Sequence, residues 1–222
     1  MFQTTLKGCI FDLDGTLLNT IADLGSACNY ALQYFGYPTH TMDEYPHLVG
    51  NGVNRLIERA LPDGHKDETT VLRLREVFVP YYDMHNCVHT VPYLGINEVL
   101  QTLRQCGVRM AVASNKYQAA TTKLVNHFFP NTFDVILGER PNTPRKPNPR
   151  IVYDILSMWD NTAEKNDCLY VGDSLVDVET ARNAHLPIVA CAWGFCAEQE
   201  LAAAKPDYLI RKPSDILTML DR

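Results

Sequence analysis

No uninterrupted apolar run in the 222 residues approaches the roughly 18 needed to cross a bilayer. The sequence therefore predicts no membrane partner. The N-terminal Met1–Lys7 lacks the long apolar stretch of a secretory leader and runs straight into an apolar strand, so a cytoplasmic location is expected. Positive charge is also in short supply. Twenty Lys and Arg stand against 26 Asp and Glu, a formal charge of −6, which argues against nucleic acid as the principal partner. No Cys-x-x-Cys occurs among the seven cysteines, and their number is odd. Neither a zinc site nor a disulfide scaffold is expected, and buried thiols in a reducing compartment are. Internal repeats and low-complexity segments are absent too. What is left is an ordinary globular balance, 46% hydrophobic and 21% charged, long enough for one large domain or two modest ones.

The apolar periods divide the chain. Gly8 to Asp12 reads as a short buried strand. From Thr20 the spacing turns helical. Ile21, Leu24, Cys28, Ala31, Leu32 and Phe35 share one face, with Gly36 as the stop and Thr20 with Asp23 as a capping box. Two more helical faces follow, through Val53 to Leu61 and Val71 to Tyr82, so Thr20 to about Asn86 reads as all-helical. Beyond Gly95, helices alternate with apolar strands at Val108–Ala113, Phe133–Leu137, Cys168–Val171, Pro187–Ala192 and Asp207–Ile210. Ser114 with Asn115, and Asn148 with Pro149, read as helix caps, and Ser214 as the cap of a last helix. Strands alternating with helices imply an α/β fold with a parallel sheet and right-handed crossovers.

In such sheets ligands bind beyond the carboxyl ends of the strands. The polar residues at those ends are Asp12 with Asp14, Ser114 with Asn115, and Asp173, while Lys146 sits in the proline-rich loop Pro141–Pro149. Two carboxylates one residue apart repel unless a cation lies between them, and an oxygen-rich site suits Mg²⁺. Each element alone has an ordinary reading as a turn, cap or solvated residue. Their joint occurrence at successive strand ends does not.

These stretches resemble the haloacid dehalogenase superfamily over essentially the whole chain. Asp12-Leu13-Asp14-Gly15-Thr16 is similar to its first motif, Ser114 to its second, Lys146 to its third, and Gly172-Asp173-Ser174-Leu175-Val176-Asp177 to its fourth. Leu48 to Val53 and Arg145 to Pro149 further resemble phosphoglycolate-phosphatase-like members. The resemblance implies a Rossmann-like parallel-sheet core, 1–17 and 92–222, with an inserted all-helical cap, 18–91. It implies Asp12 as nucleophile and Asp14 as general acid and base. Mg²⁺ would be held by Asp12, the backbone carbonyl of Asp14, and Asp173. Ser114, Asn115 and Lys146 would bind phosphate, with Thr16 positioning Asp14 and Asp177 orienting Lys146 or a metal-bound water. In the insert, Asn51, Gly52 and Arg55 are expected to read the far end of the substrate. The histidines His47, His85 and His89 are expected to be ordinary polar residues.

The expected activity is hydrolysis of a small phosphorylated metabolite, 2-phosphoglycolate first among them. A sugar phosphomutase or pyrophosphatase on the same core stays open, as does a binding protein without turnover. Asp14 argues against dehalogenation, which needs no proton on the leaving group. No oligomeric state is implied.

Overall fold

A computed structural model describes residues 6–159 and 167–220. Its frame is a six-stranded sheet built from β1 (Gly8–Phe11), β4 (Arg109–Tyr117), β5 (Val135–Glu139), β6 (Cys168–Gly172), β7 (Ile188–Cys191) and β8 (Tyr208–Ile210). The order across the sheet is β5-β4-β1-β6-β7-β8, and every pairing is parallel. Because β1 is central, its neighbours β4 and β6 bring their ends beside its own. The tips that follow Phe11, Ala113 and Gly172 therefore share one edge.

The strands are apolar on both faces because both faces are covered. Helices α5 (Ile96–Gln105) and α6 (Gln118–Phe128) pack on one face with Phe11, Leu13, Val112, Leu124 and Val171. On the other, α7 (Arg150–Met158) and α8 (Leu175–Ala184) pack with Ile10, Ala111, Tyr170 and the fully buried Trp159. A short α9 (Glu198–Ala203) precedes β8.

Between β1 and α5 lies the helical insert: α1 (Ile21–Tyr34), the single turn α2 (Tyr45–Leu48), α3 (Val53–Ala60) and α4 (Glu68–His85). The periodicity predicts three of these. A single turn such as α2 is too short to show a period. Leu24, Cys28, Leu32, Tyr45, Leu56, Phe78 and Tyr82 form an apolar cluster of the insert's own, joined from outside by Ala120 and Tyr117. Gly36 ends α1 as expected, with the amides of Gly36 and Tyr37 bonded back to Gln33 and Leu32. The two connections into the insert pair with each other. Strands β2 (Leu18–Asn19) and β3 (Val91–Pro92) form an antiparallel ribbon.

Several local expectations give way to tertiary partners. Thr20 and Asp23 form no capping box: Asp23, 2% exposed, accepts from the amides of His89 and Thr90 and from the Thr90 hydroxyl, which locks one connection to the other. Strand β4 runs on to Tyr117, so Ser114 and Asn115 lie in the strand and do not cap α6. Strand β5 begins two residues later than expected, and Phe133 packs edge-on against Phe11 and Phe129. Helix α7 starts at Arg150, whose amide the Asn148 side chain accepts, so Pro149 flanks the helix. Ser214 falls inside a 3-10 helix, Pro213–Met219, flanked by Lys212.

Candidate active site

The loop after β1 doubles back sharply, with the amides of Leu17 and Leu18 both bonded to the carbonyl of Leu13. That turn passes through Gly15 at φ +88°. A side chain at Gly15 would start 2.2 Å from Asp173 Oδ2, so only glycine lets the first and fourth motifs approach this closely. Thr16, fully buried, donates its hydroxyl to Asp173 Oδ1 at 2.8 Å, and the Phe195 amide donates to Asp173 Oδ2 at 2.8 Å. The expectation that Thr16 positions Asp14 is therefore corrected: its hydroxyl is spent on Asp173, and Thr20 takes the other role.

Asp12 and Asp14 sit in different surroundings. Lys146 Nζ lies 2.9 Å from Asp12 Oδ1 and 2.8 Å from Asp177 Oδ1, and it also donates to the Ala113 carbonyl. Burial would lower the Lys146 pKa, but Asp12 and Asp177 outweigh it and hold the ammonium charged. Asp14 is held elsewhere. Thr20 Oγ1 donates to its Oδ1 at 2.6 Å, and Lys116 Nζ stands 3.1 Å from the same oxygen. Its Oδ2 has no hydrogen-bond partner among the described residues.

The carboxylates of Asp12, Asp173 and Asp177 present oxygens within 4.8 Å of one another. Burial, first, and mutual repulsion push the Asp12 and Asp173 carboxyls upward from the usual range. Fully ionised, three buried acids against one buried ammonium would leave two negative charges uncompensated, the charge of one divalent cation. The donors are hard oxygens, so the residues present fit Mg²⁺. Asp177 is spoken for: its Oδ1 accepts from Lys146 and Tyr170, and its Oδ2 from the amide and hydroxyl of Ser174. It steadies Lys146, which leaves Asp12 and Asp173 to face a cation.

Register between β4 and β5 breaks between Ala113 and Tyr117, so Ser114, Asn115 and Lys116 bulge from the ladder toward the crevice. The Asn115 side chain clasps the backbone amide and carbonyl of Lys146 at 2.9 and 3.1 Å, fixing the loop that carries the lysine.

Above these residues lies a cavity of about 350 Å³, walled from the insert by Pro46, His47, Asn51, Gly52, Leu56 and Arg59. Asn51 and Gly52 line this cavity. Gly52, at φ +85°, leaves 3.2 Å between the site of a Cβ and the Asn115 carbonyl. Arg55 does not line the cavity: its side chain is 59% exposed and pairs with Glu58 on the outer face of α3. Arg59, one turn on, takes the position, with its guanidinium on the carbonyls of Leu48 and Val49. His47, set aside on sequence grounds, is on the wall as well. Lys116 and Phe195 carry no sequence signal of their own. The hydrophobic stretch around each reads only as a strand end and a loop.

A family model for haloacid dehalogenase-like hydrolases matches residues 9–191. The chain belongs to the haloacid dehalogenase-like hydrolases. Among curated relatives, a phosphoglycolate phosphatase of Aquifex aeolicus is 30% identical over 217 residues, covering 97% of each chain. Another phosphoglycolate phosphatase, from Vibrio parahaemolyticus, is 32% identical over 228 residues, covering 99% of this chain and 98% of its own. A crystal structure of a Lactobacillus delbrueckii protein superposes with a TM-score of 0.90 at 33% identity, covering 96% of this chain and 97% of that one. Within the haloacid dehalogenase-like hydrolases, this chain is a phosphoric monoester hydrolase. No helix among the described residues is long and apolar enough to cross a membrane.

Proposed function

We propose that this chain is a Mg²⁺-dependent phosphatase for small phosphomonoesters, 2-phosphoglycolate first among them, working through an aspartyl phosphate on Asp12. The observation that carries this is the divided environment of the two aspartates. Asp12 shares a buried ammonium with Asp177, whereas Asp14 is held through one oxygen by Thr20 and Lys116. Two carboxyls in unlike surroundings take unlike roles.

In the first step an Asp12 carboxylate oxygen attacks phosphorus as the ester bond to the leaving oxygen breaks. Asp14, protonated, gives its proton to that oxygen. Water then attacks the aspartyl phosphate, losing a proton to Asp14, and Asp12 is released with inorganic phosphate. Lys146 and the Ser114 hydroxyl, with the backbone amide of Asn115, stabilise the phosphoryl oxygens. Asp12, Asp173 and the Asp14 carbonyl would hold Mg²⁺, which screens the nucleophile from the phosphoryl charge.

The insert, 18–91, serves as a cap that excludes water during the first step. Its Asn51, Gly52 and Arg59 face the end of the substrate remote from phosphorus. A cavity of about 350 Å³ suits a metabolite of a few carbons. The names of the curated relatives direct the choice to 2-phosphoglycolate.

The test is a phosphate-release screen over a panel of phosphorylated metabolites with Mg²⁺, with Asp12→Asn as the blank. Preference for 2-phosphoglycolate, lost with a chelator and in the variant, supports the reading. Activity undiminished in Asp12→Asn would overturn it.

A further inference from the structure

Lys116 sits between Asp14 and the cap. Its ammonium is 3.1 Å from Asp14 Oδ1 and 2.9 Å from the Tyr82 hydroxyl, and it lies over the Tyr82 ring at 4.7 Å from the centroid. Lys116 belongs to the end of β4 in the core, and Tyr82 to α4 in the helical insert. Both side chains are buried. The same junction carries a second tie, because the Tyr117 hydroxyl donates to Asp83 Oδ1 at 2.6 Å and Lys123 Nζ donates to the Asp83 carbonyl.

The arrangement is specific about oxygens. Lys116 and Thr20 converge on Oδ1 of Asp14 and leave Oδ2 without a hydrogen-bond partner among the described residues. A carboxyl pinned by one oxygen presents the other in a fixed direction, the condition for efficient proton transfer. Thr20 follows β2 at the foot of the insert, so it stays with the connection. Lys116 depends on α4 for its remaining contacts. Were α4 to move away from β4, the lysine would lose its hydroxyl partner and the aromatic face together.

We propose that Lys116 is a positioning residue for the acid/base carboxylate, and that Tyr82 anchors it from the insert, so that Asp14 is aimed for proton transfer only while the insert is seated. The proposal rests on the reading of Asp14 as the proton donor. It names a physical link between cap seating and proton transfer.

Leaving-group dependence tests it. An alkyl phosphate needs a proton on its leaving oxygen, whereas 2,4-dinitrophenyl phosphate does not. The readout is the ratio of kcat/KM for the dinitrophenyl ester to that for the most active alkyl ester of the panel. Asp14→Asn sets the ceiling, raising the ratio by about 10²–10⁴, the usual contribution of a general acid. Lys116→Met is expected to raise it by at least about tenfold, and Tyr82→Phe, which keeps the ring and removes the hydroxyl, in the same direction by a smaller factor. Lys116→Arg keeps the charge but moves the nitrogens; it raises the ratio if geometry matters and leaves it alone if the lysine is only a buried counter-charge. It also serves should Lys116→Met fail to fold.

A ratio unchanged in Asp14→Asn would remove Asp14 as the acid, and the earlier reading of that residue with it. A ratio raised in Asp14→Asn but unchanged in the Lys116 variants would overturn the proposal alone. Unchanged in Tyr82→Phe only, it would overturn the anchoring from the cap.

Discussion

The hydroxyl of Thr16 donates to Asp173 Oδ1 at 2.8 Å, joining the loop after the first strand to the tip of the strand beside it. The two residues are 157 positions apart in sequence. This bond orients one of the two carboxylates proposed to hold Mg²⁺, and partners of this kind typically contribute 10–100-fold to metal affinity. Thr16→Val keeps the shape and removes the donor. We expect the Mg²⁺ concentration for half-maximal activity to rise by about tenfold. A Mg²⁺ titration of phosphate release checks this, and an unchanged midpoint would mean that the Phe195 amide alone is enough to orient Asp173.

An ionised Asp173 stands against its own burial and against Asp12 and Asp177, which push its carboxyl well above the usual carboxylate range. Without a cation its charge works against the fold. Asp173→Asn removes that charge, and an amide can still accept from the Phe195 amide while donating to Thr16. The metal-free variant is expected to melt about 2–4 °C above the metal-free wild type, the shift that roughly 1 kcal/mol gives in a chain of this size. Mg²⁺ should raise the melting temperature of the wild type and leave the variant where it is. Thermal melts with and without Mg²⁺ measure both.

Lys146 is the buried cation between Asp12 and Asp177, so its loss leaves both acids uncompensated. Lys146→Met is expected to cost about 3–5 kcal/mol, as breaking a buried ion pair does. Adding Asp177→Asn should recover part of the stability and none of the activity. Urea unfolding and phosphate release separate these two consequences. Recovery of activity in the double variant would show that Lys146 serves the fold and not the phosphoryl group.

Asp23 binds the second connection through the His89 and Thr90 amides and the Thr90 hydroxyl. Asp23→Ala strands the two Thr90 donors in a buried place and the His89 amide beside them. A loss of about 2–4 kcal/mol follows from the cost of unsatisfied buried groups. Urea unfolding checks this too, and a loss below 1 kcal/mol would mean that solvent reaches the connection freely.

Sequence carried the sheet and the edge at which its polar residues gather, because both depend on local rules. A short apolar run is a buried strand, and in a parallel sheet its carboxyl end faces the ligand side. Asp12, Ser114 and Asp173 follow from that logic with no knowledge of the contacts between them, whereas Lys146 stands in a proline-rich loop that the logic does not reach. Thr20 shows where it stops. A threonine before a helical face reads as a cap, yet its hydroxyl turns back to Asp14, because the chain folds over Leu13 in between. Lys116 carries no signal in the sequence beyond standing at a strand end. Its place depends on Tyr82, 34 residues away in another layer. The choice between Arg55 and Arg59 is one turn of one helix, and only the docking of α3 against the loop Leu48–Gly50 decides it.

In the proposed reaction phosphorus passes through a covalent bond to Asp12. With 2,4-dinitrophenyl phosphate the first step needs no proton, so breakdown of the intermediate limits turnover and the phosphoenzyme accumulates. Rapid acid quench, peptic digestion and mass spectrometry then locate the phosphoryl group. It is expected on Asp12, in the peptide that carries Phe11 to Thr16. A quenched enzyme without covalent phosphate, or with phosphate on another residue, would contradict it.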